Sequence, residues 1–334
     1  MNYLITGGAG FIGNNFIRYL YNRESNARIK VLDKLTYSSD LQGIEELIHV
    51  KGLEFIRGDI CDESIVKKSL NGIDIIVNFA AEVAVDRSIK DQESFLRTDI
   101  IGVFRLLSEA RKYPQIKKFI QISTDEVYGQ IPEGSFTEVS ETKPRNPYAA
   151  AKLGGERLAY SFFETYKLPI IITRGSNTYG PRAYLEKVIP LFITNLLDNQ
   201  TVPIYGEGKQ IRDWLYVEDH CSAIYFLLNH GIDGEVYNIA GESELTNLEL
   251  THCILKELGK DQSNIKYVND RPGHDMRYSI SCNKIKNLGW QKKYSFKEGL
   301  TETIQWYINN ESWWRFVKKN LDPMYIQGFW GEKK

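Results

Sequence analysis

Seven residues near the start of the chain, Gly7-Gly8-Ala9-Gly10-Phe11-Ile12-Gly13, constrain the fold more than any others. They follow a short apolar run at 3–6 and open a stretch of helical spacing that continues to about Asn22. Glycines at this spacing fit both G-x-G-x-x-G and G-x-x-G-x-x-G. They allow a tight strand-to-helix turn and let backbone amides approach a pyrophosphate at a helix N-terminus. An ordinary glycine turn would also satisfy the spacing, so context decides. The next apolar run, 29–32, ends in Asp33, where a carboxylate can accept hydrogen bonds from an adenosine ribose. A carboxylate there repels a 2′-phosphate, so NAD is favoured over NADP, with Lys34 alongside as a mild opposing signal.

The alternation continues. Apolar runs at 53–56 and 73–78 lead to Asp59-Ile60 and to Phe79-Ala80-Ala81-Glu82, and further strands read at 118–123, 169–173 and 235–239. Strands alternating with helices predict an α/β fold, a doubly wound parallel sheet of Rossmann type. After about residue 178 the alternation lapses among Pro181, Pro190, Pro203, Gly206 and Gly208, and the last forty or so residues hold Trp290, Trp306, Trp313, Trp314 and Trp330. The expectation is a dinucleotide-binding domain over 1–178, to which 213–240 returns, and a smaller C-terminal substrate-binding lobe over 179–334. The tryptophans read as core of that lobe rather than as a sugar-stacking platform. Helices at about 94–113 and 148–167 carry apolar residues beyond one stripe; burial within the monomer accounts for that, and so does a two-fold homodimer built from both.

Composition excludes other classes. Lys+Arg 42 against Asp+Glu 43 leaves a formal charge of -1, which offers no basic surface for nucleic acid or anionic membrane. Cys61, Cys221, Cys253 and Cys282 are scattered, with neither a CxxC pair nor a zinc spacing, so no metal site is expected and a reduced, cytoplasmic setting is. No apolar run reaches the length of a membrane span and no basic leader precedes the glycine turn, so a soluble protein is expected.

The run at 118–123 reads as a buried parallel strand whose carboxyl end carries Ser123-Thr124-Asp125-Glu126, at the edge where open α/β sheets bind ligands. Downstream, Pro147 can start a helix, which places Tyr148 and Lys152 four apart on one face. For a tyrosine to serve as a base near neutrality its pKa must fall by about 3 units from about 10. A neighbouring ammonium can supply that.

These residues carry a resemblance. The glycine run, the Tyr148/Lys152 pair and Asn177-Thr178-Tyr179-Gly180-Pro181 resemble the extended short-chain dehydrogenase/reductases. Within these, Thr124-Asp125-Glu126-Val127-Tyr128-Gly129 is similar to the nucleotide-sugar 4,6-dehydratases, the family of the dTDP-glucose enzymes. Ala80-Ala81-Glu82, Asp86-Arg87-Ser88, Glu186-Lys187, Arg212-Asp213-Trp214 and Arg271-Pro272-Gly273-His274-Asp275 match the same pattern.

The resemblance implies a hydro-lyase acting on a nucleotide-activated hexose. Tyr148 would take the C4 hydroxyl proton, with NAD as oxidant, Lys152 holding the tyrosinate and Thr124 bonding the C4 oxygen. Glu126 would remove the C5 proton and Asp125 would protonate the departing C6 hydroxyl. Gly7, Gly10, Phe11, Ile12, Gly13, Asp33, Lys34, Asp59, Ile60, Ala80, Ala81, Thr98, Ser123, Tyr148, Lys152 and Asn177 would hold NAD. Lys187 and Arg212 would meet the diphosphate and Tyr205 would stack on the base. Glu82, Asn177, Asn238, Arg271, His274 and Tyr278 would complete the substrate site.

Departures keep the substrate open. Val83-Ala84 stands where Ser-His is usual, Thr178 where a second asparagine is usual, Ser39-Asp40 replaces Gly-Asn, and 182–185 is atypical. UDP-glucose and UDP-N-acetylglucosamine stay beside dTDP-glucose. A sugar 4-epimerase or decarboxylase remains the enzymatic alternative, and a redox-sensing or scaffolding protein that keeps the NAD site is the non-enzymatic one.

Overall fold

The computed structural model describes residues 1–270 and 273–321. The first part alternates β1 (Asn2–Thr6), α1 (Phe11–Arg23), β2 (Arg28–Asp33), α2 (Leu41–Lys51), β3 (Glu54–Arg57), α3 (Glu63–Ser69) and β4 (Ile75–Asn78). Next, α4 (Val85–Lys90) and α5 (Gln92–Leu96) lead through a π-helical turn, Arg97–Gly102, into α6 (Val103–Ala110). There follow β5 (Lys118–Thr124), a 3₁₀ turn at Asp125–Tyr128, α7 (Pro147–Tyr166) and β6 (Ile170–Gly175).

The remainder is β7 (Asn177–Tyr179), α8 (Val188–Leu197), β8 (Val202–Tyr205), β9 (Ile211–Tyr216), α9 (Val217–His230), β10 (Val236–Ile239), β11 (Glu244–Thr246), α10 (Asn247–Glu257), β12 (Ile265–Val268), α11 (Asn283–Asn287), α12 (Phe296–Asn309) and α13 (Glu311–Lys319).

Seven strands form one parallel sheet in the order β10-β6-β5-β4-β1-β2-β3. The order reverses between β1 and β4, and a crevice opens at such a switch point outside the carboxyl ends of the strands. Strands buried on both faces read as continuous apolar runs, and 75–77 of β4 and 170–172 of β6 do so here. Phe16, Ile17 and Leu20 of α1 and Ile224 and Leu227 of α9 belong to one core. Val66 of α3, Leu106 and Leu107 of α6 and Phe162 of α7 form a second core with Leu4, Ile76 and Phe119 of the sheet. Beyond the large sheet, a three-stranded sheet, β11-β9-β7, and a pair, β12-β8, pack with α8, α10 and α12. Trp290, Trp313 and Trp314 are buried in the same core as Phe16 and Ile224; Trp330 lies outside the described residues.

The expected continuous helix at 94–113 differs in detail. A π turn interrupts it, and Gly154 and Gly155 let α7 come close: a Cβ at Gly155 would meet the Asp99 carbonyl at 2.5 Å. That approach delivers Asp99 to Lys152.

One buried ion pair sets where α7 sits. Arg174 of β6 donates through Nη2 and Nε to Glu156 of α7 at 2.6 and 3.1 Å, both side chains 2% exposed. The same guanidinium lies over the Tyr128 ring, 4.6 Å from its centre. Removing one partner strands a buried charge at a cost of about 3–5 kcal/mol. Glu156→Ala is expected to destabilise the protein by that amount, read as a lowered urea midpoint. A loss below about 1 kcal/mol, the range of an exposed pair, would contradict the role given to this contact.

Candidate active site

At Gly7 the backbone takes φ +66, and a Cβ there would stand 2.5 Å from the Ala80 amide nitrogen; a Cβ at Gly13 would stand 2.5 Å from the Gly7 carbonyl. Only glycine lets this turn close against the end of β4. The first turn of α1 then presents its amides with no side-chain cap and no acidic residue. Such an end attracts phosphate.

A cavity of about 430 Å³ is lined by this turn, the strand ends and residues beyond β7. The first part contributes Gly7, Gly10, Phe11, Ile12, Gly13, Asp33, Lys34, Asp59, Ile60, Ala80, Ala81, Thr98, Ser123, Thr124, Asp125, Glu126, Tyr148, Lys152 and Asn177. Lys187, Tyr205, Arg212, His274 and Tyr278 reach it from beyond. Arg271 lies outside the described residues.

Asp33 Oδ2 accepts from the Ala9 amide at 3.0 Å and Oδ1 from the Leu35 amide at 2.7 Å. The Ser39 hydroxyl also reaches Oδ1, at 3.4 Å, and of a carboxylate's about four lone-pair sites one stays open for a ribose hydroxyl. Lys34 points elsewhere. Its ammonium meets Glu82 Oε1 at 2.6 Å and Thr98 Oγ1 at 3.1 Å, which removes the signal it carried for a 2′-phosphate. Glycine cradle, uncapped helix end and acidic strand end together fit a dinucleotide with an unphosphorylated ribose.

Two expected substrate residues do not line the cavity. Glu82 Oε1 is turned to Lys34 and Thr98. Asn238 is fully buried in β10: its Oδ1 accepts from the Tyr128 hydroxyl at 2.9 Å and its Nδ2 reaches the Ser281 carbonyl at 3.2 Å. It supports the 3₁₀ turn from behind.

That turn carries the acid pair. Thr124 Oγ1 caps it by accepting from the Glu126 amide at 3.3 Å. Asp125 is 3% exposed, and its Oδ2 has no hydrogen-bond partner among the described residues. Burial, then the Glu126 charge, pushes its carboxyl up to about 8. Glu126 is held differently, Oε2 accepting from Asn146 Nδ2 at 2.9 Å. Asn146 also caps α7 through the Ala149 amide. One side chain therefore ties Glu126 to the helix bearing Tyr148. Two adjacent carboxyl groups in different surroundings offer a proton donor and a proton acceptor.

Tyr148 does not have the environment its spacing suggests. Burial, followed by the charges of Glu126 and Asp99, pushes its phenol well above the usual tyrosine range, with the Thr124 hydroxyl pulling the other way. The Lys152 ammonium pairs with Asp99 Oδ1 at 3.4 Å, both side chains buried. Burial pushes Asp99 up to about 6, opposed by Lys152. The carboxylate that shares the ammonium comes from a distant helix; a lone acid inside the apolar 95–107 stretch was the one available sign of it. His220 also escaped notice: it lines the cavity, bonds Thr178 Oγ1 through Nδ1 at 2.8 Å, and is pushed down to about 4 by burial, hence neutral. No group of acids, histidines and cysteines among the described residues could hold a metal ion.

Asp125 gives a stability signature. Its folded pKa lies above the usual 3.8, so the native state binds the proton more tightly and its contribution is complete at low pH. That contribution is lost as pH rises from about 4 through about 8. The advantage of Asp125→Asn over the unmutated protein is therefore expected to grow across this window, in thermal melts taken at intervals of pH. A difference that stays flat, or grows on acidification, would count against a protonated Asp125.

Residues 4–303 match the family described as GDP-mannose 4,6 dehydratase. The chain is 47% identical to a dTDP-glucose 4,6-dehydratase of Streptomyces niveus, over 95% of this chain and 96% of that one. It is 45% identical to the low-salt glycan biosynthesis protein Agl12 of Haloferax volcanii, over 93% and 100% respectively. Among solved structures, DesIV, the dTDP-glucose 4,6-dehydratase of Streptomyces venezuelae with NAD bound, superposes with a TM-score of 0.91 at 44% identity, covering 95% of this chain and all of that one.

Proposed function

This chain belongs to the GDP-mannose 4,6-dehydratase family, within the extended short-chain dehydrogenase/reductases, and we propose on that premise that it dehydrates a nucleotide-activated hexose of the dTDP-glucose type to the 4-keto-6-deoxy sugar. The observation that carries this reading is the pair Asp125 and Glu126, one buried with its Oδ2 unpaired among the described residues and the other hydrogen-bonded by Asn146, facing the same cavity as Tyr148. A 4-epimerase needs no such second acid and base.

The glycine turn would hold the NAD pyrophosphate, Asp33 the adenosine ribose with Thr98 and Lys34 beside it, and Lys152 the nicotinamide end. NAD, when bound, supplies the electron-pair acceptor for oxidation at C4 and the donor for reduction at C6. Tyr148 would remove the C4 hydroxyl proton, for which the Lys152 ammonium must offset the burial and the Glu126 and Asp99 charges that hold its phenol up, while Thr124 donates to the C4 oxygen. The ketone acidifies C5, whose proton passes to Glu126. Asp125 then protonates the C6 hydroxyl so that it leaves as water. Arg212, anchored on the Ile211 and Asp275 carbonyls at 2.7 and 2.9 Å, and Lys187 would hold the diphosphate. Tyr205, edge-on to His274 with ring centres 6.2 Å apart, would take the base.

General acid and base groups each contribute about 10²- to 10⁴-fold. Glu126→Gln and Asp125→Asn are expected to oxidise C4 with substrate, seen in the absorbance of the reduced cofactor, while loss of water falls by that factor. Mass spectrometry of a nucleotide-sugar panel reads the loss. The panel includes a 2-acetamido sugar, because Val83 and Ala84 give the cavity an apolar stretch. Near-normal water loss by the double mutant would sink the assignment, and a C4-inverted product from the unmutated protein would make it an epimerase.

The same reading covers assembly and location. Most apolar residues of the two long helical stretches are covered within the monomer, but Leu96 and Ile101, and Tyr160 and Tyr166 of α7, stay 43–50% exposed. A two-fold homodimer pairing these helices would bury them. Sedimentation should show a dimer, shifted to monomer by Ile101→Glu with Tyr160→Glu; a monomeric parent protein would dismiss it. A cytoplasmic location accords with four cysteines that are all free and with the absence, among the described residues, of any helix long and apolar enough to cross a membrane.

A further inference from the structure

The C5 proton taken by Glu126 has a route out of the cavity. Tyr278 and Asp275 are each 2% exposed, and the Tyr278 hydroxyl lies 3.4 Å from Glu126 Oε2 and 2.5 Å from Asp275 Oδ2. It has one proton to give. The shorter contact takes that proton, which leaves an oxygen lone pair toward Glu126, the arrangement that can receive from a protonated carboxyl. On its other oxygen, Asp275 meets Arg145 Nε at 2.7 Å, and the Arg145 side chain is 46% exposed. Arg212 fixes the middle of the chain, its guanidinium 4.4 Å from the centre of the Tyr278 ring and donating to the Asp275 carbonyl. The other group on Glu126, the Asn146 amide, can only donate and cannot carry a proton away.

Resting on the dehydratase reading, we propose that Tyr278 and Asp275 form a proton relay linking Glu126 to solvent beside Arg145, through which the substrate's C5 proton is exchanged for one from water. The O–H bond of Glu126 breaks as its proton joins the Tyr278 oxygen, and the phenolic proton passes to Asp275 Oδ2. The result is a Glu126 carboxylate, an unchanged phenol and a neutral Asp275. Net charge is conserved. Asp275 then yields its proton to water, helped by the Arg145 charge, and the reverse transfer reloads Glu126 before it protonates C5. Burial and the Glu126 charge keep the Tyr278 phenol far above the usual tyrosine range, so it rests protonated between transfers.

The experiment uses a nucleotide hexose deuterated at C5, turned over by the NAD-loaded enzyme in ordinary water, with deuterium at C5 of the product read by NMR and mass spectrometry. The unmutated enzyme is expected to wash the label out. Tyr278→Phe, which keeps the ring and removes the oxygen, and Asp275→Asn, which cuts the next link, are each expected to raise retained deuterium several-fold while still expelling water. A merely structural role would slow turnover without changing retention. Complete washout in both variants overturns the relay and leaves the dehydratase reading intact. So does abolished water loss with intact C4 oxidation in both, which would make the two residues supports for Glu126 alone. Absence of water loss in the unmutated enzyme overturns the dehydratase reading and the relay with it.

Discussion

The ion pair between Glu156 and Arg174 is the contact on which the site depends. It joins the middle of α7 to β6 where neither charge sees water, and the same guanidinium stacks on Tyr128 of the turn after β5. Tyr148 and Lys152 stand at the start of α7, and Asp125 and Glu126 in that turn. One buried cation thus holds two segments of the candidate site in register. Asn238 supports Tyr128 from the neighbouring strand, and Asn146 bridges Glu126 to the helix cap. Charges buried this way gain little net stability but lose much if one partner goes.

Electrostatics then separates groups that look alike on paper. Asp125 and Glu126 are neighbours in the chain, yet the turn buries one and leaves the other half-buried on an amide donor and within reach of the Tyr278 hydroxyl. Burial favours the neutral acid; donors favour the anion. The proposed division between acid and base follows from that difference in surroundings. At the other end of the cavity, the Glu82 carboxylate and Thr98 hydroxyl hold the Lys34 ammonium, and Asp33 stands beside the glycine turn as the group for a ribose.

Tyr148 shows the opposite effect. Enclosed among Glu126, Asp99 and Asp125, its phenol is held up, and the ammonium four residues along is shared with Asp99. A Tyr-x-x-x-Lys spacing brings two side chains to one helical face and says nothing of a third group packed against both. Here the π turn and Gly154-Gly155 bring that group in.

Local spacing was enough to place the strands, the glycine turn, Asp33 at its strand end and the Tyr148 and Lys152 pair, because each depends on residues a few positions apart and on a repeat of two or of 3.6 residues. The seven parallel strands and the ligand edge at their carboxyl ends were legible for that reason, the identity of the acid pair came through resemblance, and the switch point between β1 and β4 appeared only in the strand order. Contacts between distant segments decided the rest: the ammonium of Lys152 shared with Asp99, Glu82 turned to Lys34, Asn238 withdrawn into the core, the helix at 94–113 interrupted by a π turn, and Tyr278 joined to Asp275 beneath Glu126. None has a period. A proton's place on a carboxyl depends on burial and on charges brought near by folding, and those exist only once the sheet, α7 and the segments beyond β7 have closed around the cavity.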